Sequence, residues 1–189
     1  MNRLALAVVF LTAPLALSQS TTWSIDGAHS GVDFTISHMA VSKVHGHFGI
    51  TSGTIVLDQA NLSKSTVTAT IDVSSVNTGT SDRDTHLKSA DFFNTAAYPS
   101  ATFLSTGVAK SGNGITVAGN LTLHGVTKPV VLQVDGPTGP VTGMDKKPHS
   151  GFSATTTIHR AEFGIGTNFP SAMVGEEVAI TIDLEAVQQ

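Results

Sequence analysis

The chain has 189 residues, of which 40% are hydrophobic, 13% are charged and none is cysteine. The lack of cysteine excludes disulfides, thiol catalysis, iron–sulfur clusters and thiolate zinc sites. Ten Lys and Arg residues against 14 Asp and Glu residues give a net charge of -4. This balance argues against nucleic acid or an anionic membrane surface as the partner.

The first segment, MNRLALAVVFLTAPLALSQS, carries one cation at Arg3, then an apolar run, then small residues at Ala16 and Ser18. This order is typical of a secretory signal peptide, and we expect cleavage after Ser18. The apolar run is too short for a stable membrane span, which needs about 20 residues. The sequence therefore predicts a signal peptide over residues 1–18 and one domain over residues 19–189, in a periplasmic or secreted protein without stable membrane insertion.

Apolar and polar residues alternate in segment after segment from Trp23 onward, which is the period-2 signature of half-buried strands. Examples in chain order are GVDFTISHM, TVTATIDVSS, ITVAGNLTLHG and EVAITIDLEAV. About eight strands with short connections predict an all-β fold, either a closed antiparallel barrel or a sandwich. The longest connection, residues 135–151, is rich in glycine and proline, and we interpret it as a surface loop or a flexible flap.

One stretch, residues 80–99, breaks the alternation. Ser81 is followed closely by two aspartates, and this pattern favours a helix start because a side-chain oxygen caps free amides and acids suit the positive helix end. We predict a short helix through Leu87 or Lys88, followed by a second turn that carries two phenylalanines. A barrel with one helical insertion has a natural lid.

Three histidines, His38, His45 and His47, lie within ten positions. A pair at i and i+2 on a strand can chelate a transition metal. Val44, Gly46 and Phe48 fill the alternate positions and continue the apolar face, however, so both histidines are predicted to lie outside, and no metal site is predicted. His86 with Asp84 is a conceivable acid/base pair, or else part of a solvated helix face. Motifs for a serine nucleophile elbow, a zinc protease, a phosphate loop or a dinucleotide fold are absent.

Eight sequence strings occur in an order that is characteristic of one protein family. They are WSIDGAHSGVDFTISHM (23–39), VHGHFG (44–49), GTIVLD (53–58), RDTHLKSADFF (83–93), YPSATFLST (98–106), GNLTLHGVTKPV (119–130), FSATTTIHRAEFGI (152–165) and VGEEVAITIDLEAV (174–187). With these strings the chain resembles the YceI-like, or polyisoprenoid-binding, family of exported lipid-binding proteins over essentially the whole mature chain.

The resemblance implies an eight-stranded antiparallel β-barrel of lipocalin-like form with a short helical insertion. Its lumen would hold a long-chain amphiphile such as a polyisoprenoid, an isoprenoid quinone or a fatty-acid-type lipid. The implied role is that of a binding or carrier protein without catalysis and without a cofactor other than the bound lipid. Homodimers occur in the family, but the sequence identifies no interface.

An eight-stranded barrel is just wide enough to be filled by its own side chains or to hold one slender ligand. Small inward residues, Ala69, Gly119 and Ala154, are predicted to leave space in the lumen. The residues predicted to line the lumen and contact the ligand are Val32, Phe34, Ile36, Phe48, Val67, Ile71, Phe103, Leu121, Phe152, Ile180 and Ile182, with Phe92 and Phe93 closing one end. A fully packed barrel without a cavity remains the alternative.

Four cations or donors are candidates for contact with a polar headgroup at the barrel mouth: His38, Arg83, His86 and Arg160. Each has a structural alternative; Arg83 and Asp84, for example, would pin the insertion to the barrel. Two other classes of function stay open at this point. One is an enzyme that acts on a lipid with His86 and Asp84, or His38, as the base. The other is a structural barrel without a ligand.

Overall fold

The computed structural model describes residues 20–189, and the predicted signal peptide lies outside this range. Nine strands and one α-helix make up the described chain. The strands are β1 (Thr21–Ile25), β2 (Gly31–His38), β3 (Ser42–Leu57), β4 (Thr66–Asn77), β5 (Ser100–Ser111), β6 (Gly114–Leu123), β7 (Val126–Thr142), β8 (Pro148–His159) and β9 (Val174–Gln188); the helix is α1 (Ser81–Lys88). Three short 3₁₀ turns complete the elements, at Gly27–His29, Leu62–Lys64 and Arg160–Phe163.

Strands β2 to β9 form one closed antiparallel ring. Each strand pairs with the next in the chain, and β9 pairs back with β2 to close the ring. The short β1 adds to it by pairing with the second half of β3 on one side and with the end of β9 on the other. The predicted eight-stranded antiparallel barrel with one helical insertion is therefore confirmed, with β1 as an additional ninth strand.

Each strand has one face toward the lumen and one face toward the outside, as the alternation predicts, because successive side chains on a strand point to opposite sides. On the outer face of β2 and β3, Nδ1 of His47 lies 3.0 Å from Oδ1 of Asp33. Nδ1 of His45 lies 3.0 Å from Oγ1 of Thr35. Both histidines are exposed, so neither reaches the lumen.

The interpretation of residues 135–151 as a long loop or flap is wrong. β7 and β8 continue through this segment as a hairpin, with Val141 opposite His149 and a turn closed by the Gly143 amide, which donates to the Lys147 carbonyl at 2.9 Å. Pro137 and Pro140 fall where the register shifts between paired residues. A proline has no amide to give to a ladder, and bulges tolerate it for that reason.

Helix α1 spans Ser81–Lys88, as the sequence predicts, but its start is built differently. The residue before the helix, Thr80, makes no side-chain capping hydrogen bond. The carboxylate of Asp84 instead accepts a hydrogen bond from the Thr78 amide at 2.8 Å. That bond ties the helix back to the end of β4, which positions the insertion over one end of the barrel. Within residues 20–189, no helix combines the length and the apolar content that crossing a bilayer requires.

Candidate ligand cavity

The barrel contains an internal cavity of about 240 Å³. Its lining is apolar except for Ser65, Thr156 and Arg160. All thirteen residues predicted to face the lumen line it: Val32, Phe34, Ile36, Phe48, Val67, Ile71, Phe92, Phe93, Phe103, Leu121, Phe152, Ile180 and Ile182. Their placement follows from strand alternation, while their contact with a ligand stays a prediction.

Aromatic rings connect the barrel wall to the helical insertion. The ring centroids of Phe34 and Phe48 lie 5.2 Å apart, and Phe48 meets Phe93 edge to face at 5.4 Å. Aromatic pairs at such distances contribute about 0.5–1.5 kcal/mol beyond the area that they bury. Phe93 comes from the turn after α1, so this contact holds the insertion against the cavity.

A second apolar cluster closes the same end of the barrel. Phe92 stacks on Phe169 with a centroid distance of 4.9 Å. Phe92 also belongs to a buried cluster with Ile158, Phe163 and Ile165. The insertion and the segment after β8 thus form one apolar lid, and Phe92 and Ile165 both face the cavity beneath it.

Two inward glycines make room for aromatic rings rather than for a ligand. A Cβ at Gly46 would overlap the ring of Phe34, and a Cβ at Gly119 would overlap the ring of Phe103. The expectation that Gly119 leaves free space is therefore wrong, because the Phe103 ring fills that space. Ala69 and Ala154 do line the cavity.

Arg160 lies at one end of the cavity, and all of its side-chain donors bind the backbone of the protein. The residue is 4% exposed. Its five guanidinium N–H groups donate to five backbone carbonyls, those of Ile165, Gly166, Phe169, Val174 and Gly175, at 2.5 to 3.0 Å. Since a guanidinium has only five N–H donors, none is left for a headgroup. Arg160 shapes the loop that carries the lid cluster.

Arg83 takes the structural role that the sequence left open. Its Nε donates to Oγ1 of Thr78 at 2.7 Å, and its Nη2 donates to the Thr78 carbonyl at 2.8 Å. Together with the bond from the Thr78 amide to Asp84, these contacts pin α1 to the end of β4. Arg83 does not line the cavity.

The two candidate histidines also lie outside the cavity lining. His86 is not paired with Asp84: its Nε2 lies 3.1 Å from Oδ2 of Asp91, and its ring packs edge-on against Phe92 at 5.0 Å. His38 is exposed at the end of β2, opposite Ser42. The structure therefore brings none of the proposed acid/base groups to the lumen.

Several further residues, which are not among the predicted ones, also line the cavity. Those on β7 (Val130, Leu132 and Val134) follow the same alternation and were detectable from it. Leu87 on α1 and Ile165 in the turn after β8 carry no period-2 signal, so only the folded chain places them. The lining thus comes from every strand of the ring and from both parts of the lid.

Comparison with known proteins agrees with this architecture. The YceI-like domain matches residues 23–186. Protein YceI of Escherichia coli O17:K52:H18 is 38% identical over 190 residues, covering 98% of this chain and 96% of the relative. Protein YceI of Salmonella newport is 38% identical over 188 residues, covering 97% of this chain and 95% of the relative. These matches extend over the whole barrel.

Solved structures share the fold. BcnA of Burkholderia cenocepacia superposes with a TM-score of 0.71 at 27% identity, over 85% of this chain and 98% of that one. The Campylobacter jejuni YCEI protein gives a TM-score of 0.64 at 26% identity, over 100% and 99%. A polyisoprenoid binding domain from Saccharophagus degradans gives 0.64 at 19% identity, over 89% and 99%, and shows the fold alone. The chain belongs to the YceI-like family.

Proposed function

We propose that the protein binds one long-chain amphiphile in the barrel lumen and carries it without chemical change. The ligand class is a polyisoprenoid, an isoprenoid quinone or a fatty-acid-type lipid. The single observation that supports this proposal is the internal cavity, whose lining is apolar apart from three residues. A cavity of this kind stabilises an aliphatic chain and offers little to a polar ligand.

The size of the cavity favours a slender ligand. At about 240 Å³ it lies below the range of about 300–1,000 Å³ that is usual for small-molecule sites. Burial of one methylene contributes about 0.8 kcal/mol, so ten buried methylenes contribute on the order of 8 kcal/mol before ordering costs. An extended chain therefore gains useful affinity without any specific polar contact.

The headgroup is expected to add little to this affinity. All N–H groups of Arg160 are engaged by carbonyls, and His38, Arg83 and His86 lie outside the lining. Ligands with the same chain and different headgroups should therefore bind with similar strength. The discriminating feature is the length and width of the chain.

The lumen chemistry favours binding over catalysis. Within residues 20–189, the cavity lining contains no histidine, carboxylate, lysine or tyrosine, and these are the usual groups for proton transfer. A lipid-modifying enzyme would need such a group near the chain or the headgroup. We therefore expect candidate lipids to be recovered unchanged after incubation with the protein.

We further propose that the protein acts after export, in the periplasm or outside the cell. The support is the cation, apolar run and small residues at the N terminus, which match a secretory signal peptide. Cell fractionation with antibody detection, together with the N-terminal sequence of the exported form, tests this. A cytoplasmic full-length protein would contradict it.

The binding proposal is tested by a pair of substitutions on neighbouring residues of β9. Ile182 faces the cavity, whereas Thr181 next to it is exposed on the outer face. Binding of a polyprenol and of a long-chain fatty acid is measured by native mass spectrometry with the mature protein. Ile182→Asp should weaken binding by at least about tenfold, a loss of about 1.4 kcal/mol, because it puts a carboxylate into an apolar lumen. Thr181→Asp should leave binding unchanged.

A second variant covers the case in which Ile182→Asp does not fold. Ala154→Phe places an apolar ring in the cavity and should reduce binding by filling it, without introducing charge. Equal binding by wild type, Ile182→Asp and Ala154→Phe would show that the lipid lies elsewhere. If no long-chain lipid binds to the wild type, the structural barrel without a ligand is the better account. If the wild type converts a lipid and His86→Ala does not, the protein is an enzyme.

A further inference from the structure

A cluster of titratable side chains lies at the end of the barrel opposite α1, away from the lid. Asp26 precedes the first 3₁₀ turn, His29 ends it, and Glu185 lies near the end of β9. One ligand atom from each of the three lies within 4.8 Å of the other two. Nothing in the lipid-binding proposal uses these residues.

Hydrogen bonds of the backbone and of the side chains hold these three residues next to each other. The Asp26 amide donates to the Glu185 carbonyl at 2.8 Å, and the Glu185 amide donates to Oγ of Ser30 at 3.0 Å. Oδ1 of Asp26 accepts from the Ala28 amide at 2.9 Å, and Oδ2 of the same carboxylate lies 2.8 Å from Nδ1 of His29. The loop before β2 and the end of β9 are thus fixed together before any ligand arrives.

A second histidine, His149, contacts the Glu185 carboxylate. Nδ1 of His149 lies 2.6 Å from Oε1 of Glu185, and its Nε2 lies 2.9 Å from Oδ1 of Asp145. Only a doubly protonated imidazole donates from both nitrogens. The hydrogen bonds to Asp145 and then to Glu185 accordingly raise the pKa of His149 above its usual value.

The net negative charge of this cluster favours the binding of a cation. Three carboxylates (Asp26, Asp145 and Glu185) lie beside two imidazoles (His29 and His149), so the group carries a net negative charge even when both histidines are protonated. A divalent ion compensates this charge.

We propose that Asp26, His29 and Glu185 form a binding site for a divalent transition-metal ion of the Zn²⁺ type, with water as the remaining ligand. One imidazole nitrogen with two carboxylate oxygens is a ligand set that Zn²⁺ and Co²⁺ accept. His149, held by Asp145, would fix the Glu185 carboxylate by a hydrogen bond, as outer hydrogen bonds do for metal ligands.

The ligand atoms need a modest movement to close on an ion. Bonds of about 2.0–2.2 Å to a tetrahedral Zn²⁺ put the ligand atoms about 3.4 Å apart. The three ligand atoms now lie up to 4.8 Å apart, so they have to come closer together. Rotation of the side chains can achieve this, because the His29 side chain is 65% exposed. If the ion binds Nδ1 of His29, it competes with the proton of the hydrogen bond to Asp26, and the ring keeps its remaining proton on Nε2.

Metal binding would join the loop that follows β1 to β9, so it should stabilise the barrel where β1 completes it. The test uses tag-free mature protein at pH 7.5, stripped with EDTA and then titrated with Zn²⁺ by calorimetry and with Co²⁺ by absorption spectroscopy. We expect one ion per chain, the visible bands of a low-coordinate Co²⁺ site, and a rise of several degrees in the thermal unfolding midpoint with Zn²⁺.

Variants distinguish this site from unspecific histidine binding. His29→Ala should abolish the stoichiometric binding and the thermal shift, and His149→Ala should weaken binding by about tenfold through the loss of ligand orientation. The matched control is the double variant His45→Ala/His47→Ala, which removes the exposed pair on the outer wall and should bind like wild type. Absence of stoichiometric binding to wild type, or its loss in the control and not in His29→Ala, would overturn the proposal.

Discussion

Replacement of Arg160 by methionine is the perturbation that tests the lid most strongly. The methionine keeps an apolar stem of similar length but removes all five hydrogen bonds to carbonyls, three in the segment after β8 and two at the start of β9. At about 1 kcal/mol for each bond, the variant should lose about 5 kcal/mol. This is a large part of the total of about 5–15 kcal/mol that stabilises a typical domain.

Urea unfolding followed by circular dichroism measures this loss. With an m-value of about 2 kcal/mol/M, the midpoint should fall by about 2–3 M. Arg160→Lys should be intermediate, because an ammonium offers three donors from one point and cannot span five carbonyls. Lys110→Met, which removes an exposed cation from β5, should change stability by less than about 0.5 kcal/mol.

A loss below about 1 kcal/mol in Arg160→Met would refute the reasoning, because it would mean that the five carbonyls find other donors at little cost. The lysine variant adds an independent readout. If Arg160 shapes the loop and does not hold the ligand, the folded fraction of Arg160→Lys should bind lipids with different headgroups in the same order of affinity as wild type. A selective loss of acidic lipids would assign the headgroup role to Arg160 after all.

Three further predictions concern the cavity wall and the insertion. Gly46→Ala should cost about 1–3 kcal/mol in urea unfolding, because its methyl overlaps the Phe34 ring, whereas Gly107→Ala, which meets open space, should cost nothing; equal effects would contradict the contact. Arg83→Ala should lower stability by about 1–3 kcal/mol and leave the affinity for a phosphorylated lipid unchanged; a weaker affinity would restore its headgroup role. His86→Ala should leave lipid affinity, measured by native mass spectrometry, unchanged, and a clear loss would place this histidine in the site.

The wall of the cavity was predictable from the sequence because strand alternation is local. In β9, Ile180 and Ile182 face the lumen, and their spacing alone indicates this. In β7 the same spacing places Val130, Leu132 and Val134 on the lumen side. Alternation alone does not distinguish a closed barrel from a sandwich. The eight ordered strings decided for the barrel, because they carry the resemblance to a family of barrel proteins.

The roles of the polar residues were not predictable, since they depend on partners far away in the chain. Arg160 is an isolated cation in the sequence, and only the folded loop shows that its N–H groups donate to backbone carbonyls. His149 meets Glu185 across 36 positions. The hairpin of β7 and β8 was missed for another reason: glycine and proline usually end strands, and here they lie at register shifts that a long hairpin tolerates.

Native mass spectrometry of the mature protein, purified from its own host and followed by organic extraction, tests the central claim most directly. The account predicts one long-chain amphiphile per chain, recovered unchanged, and its absence from Ala154→Phe. A protein without bound lipid that also fails to take up added polyprenol, quinone or fatty acid would contradict the carrier function and leave a barrel whose cavity has no ligand.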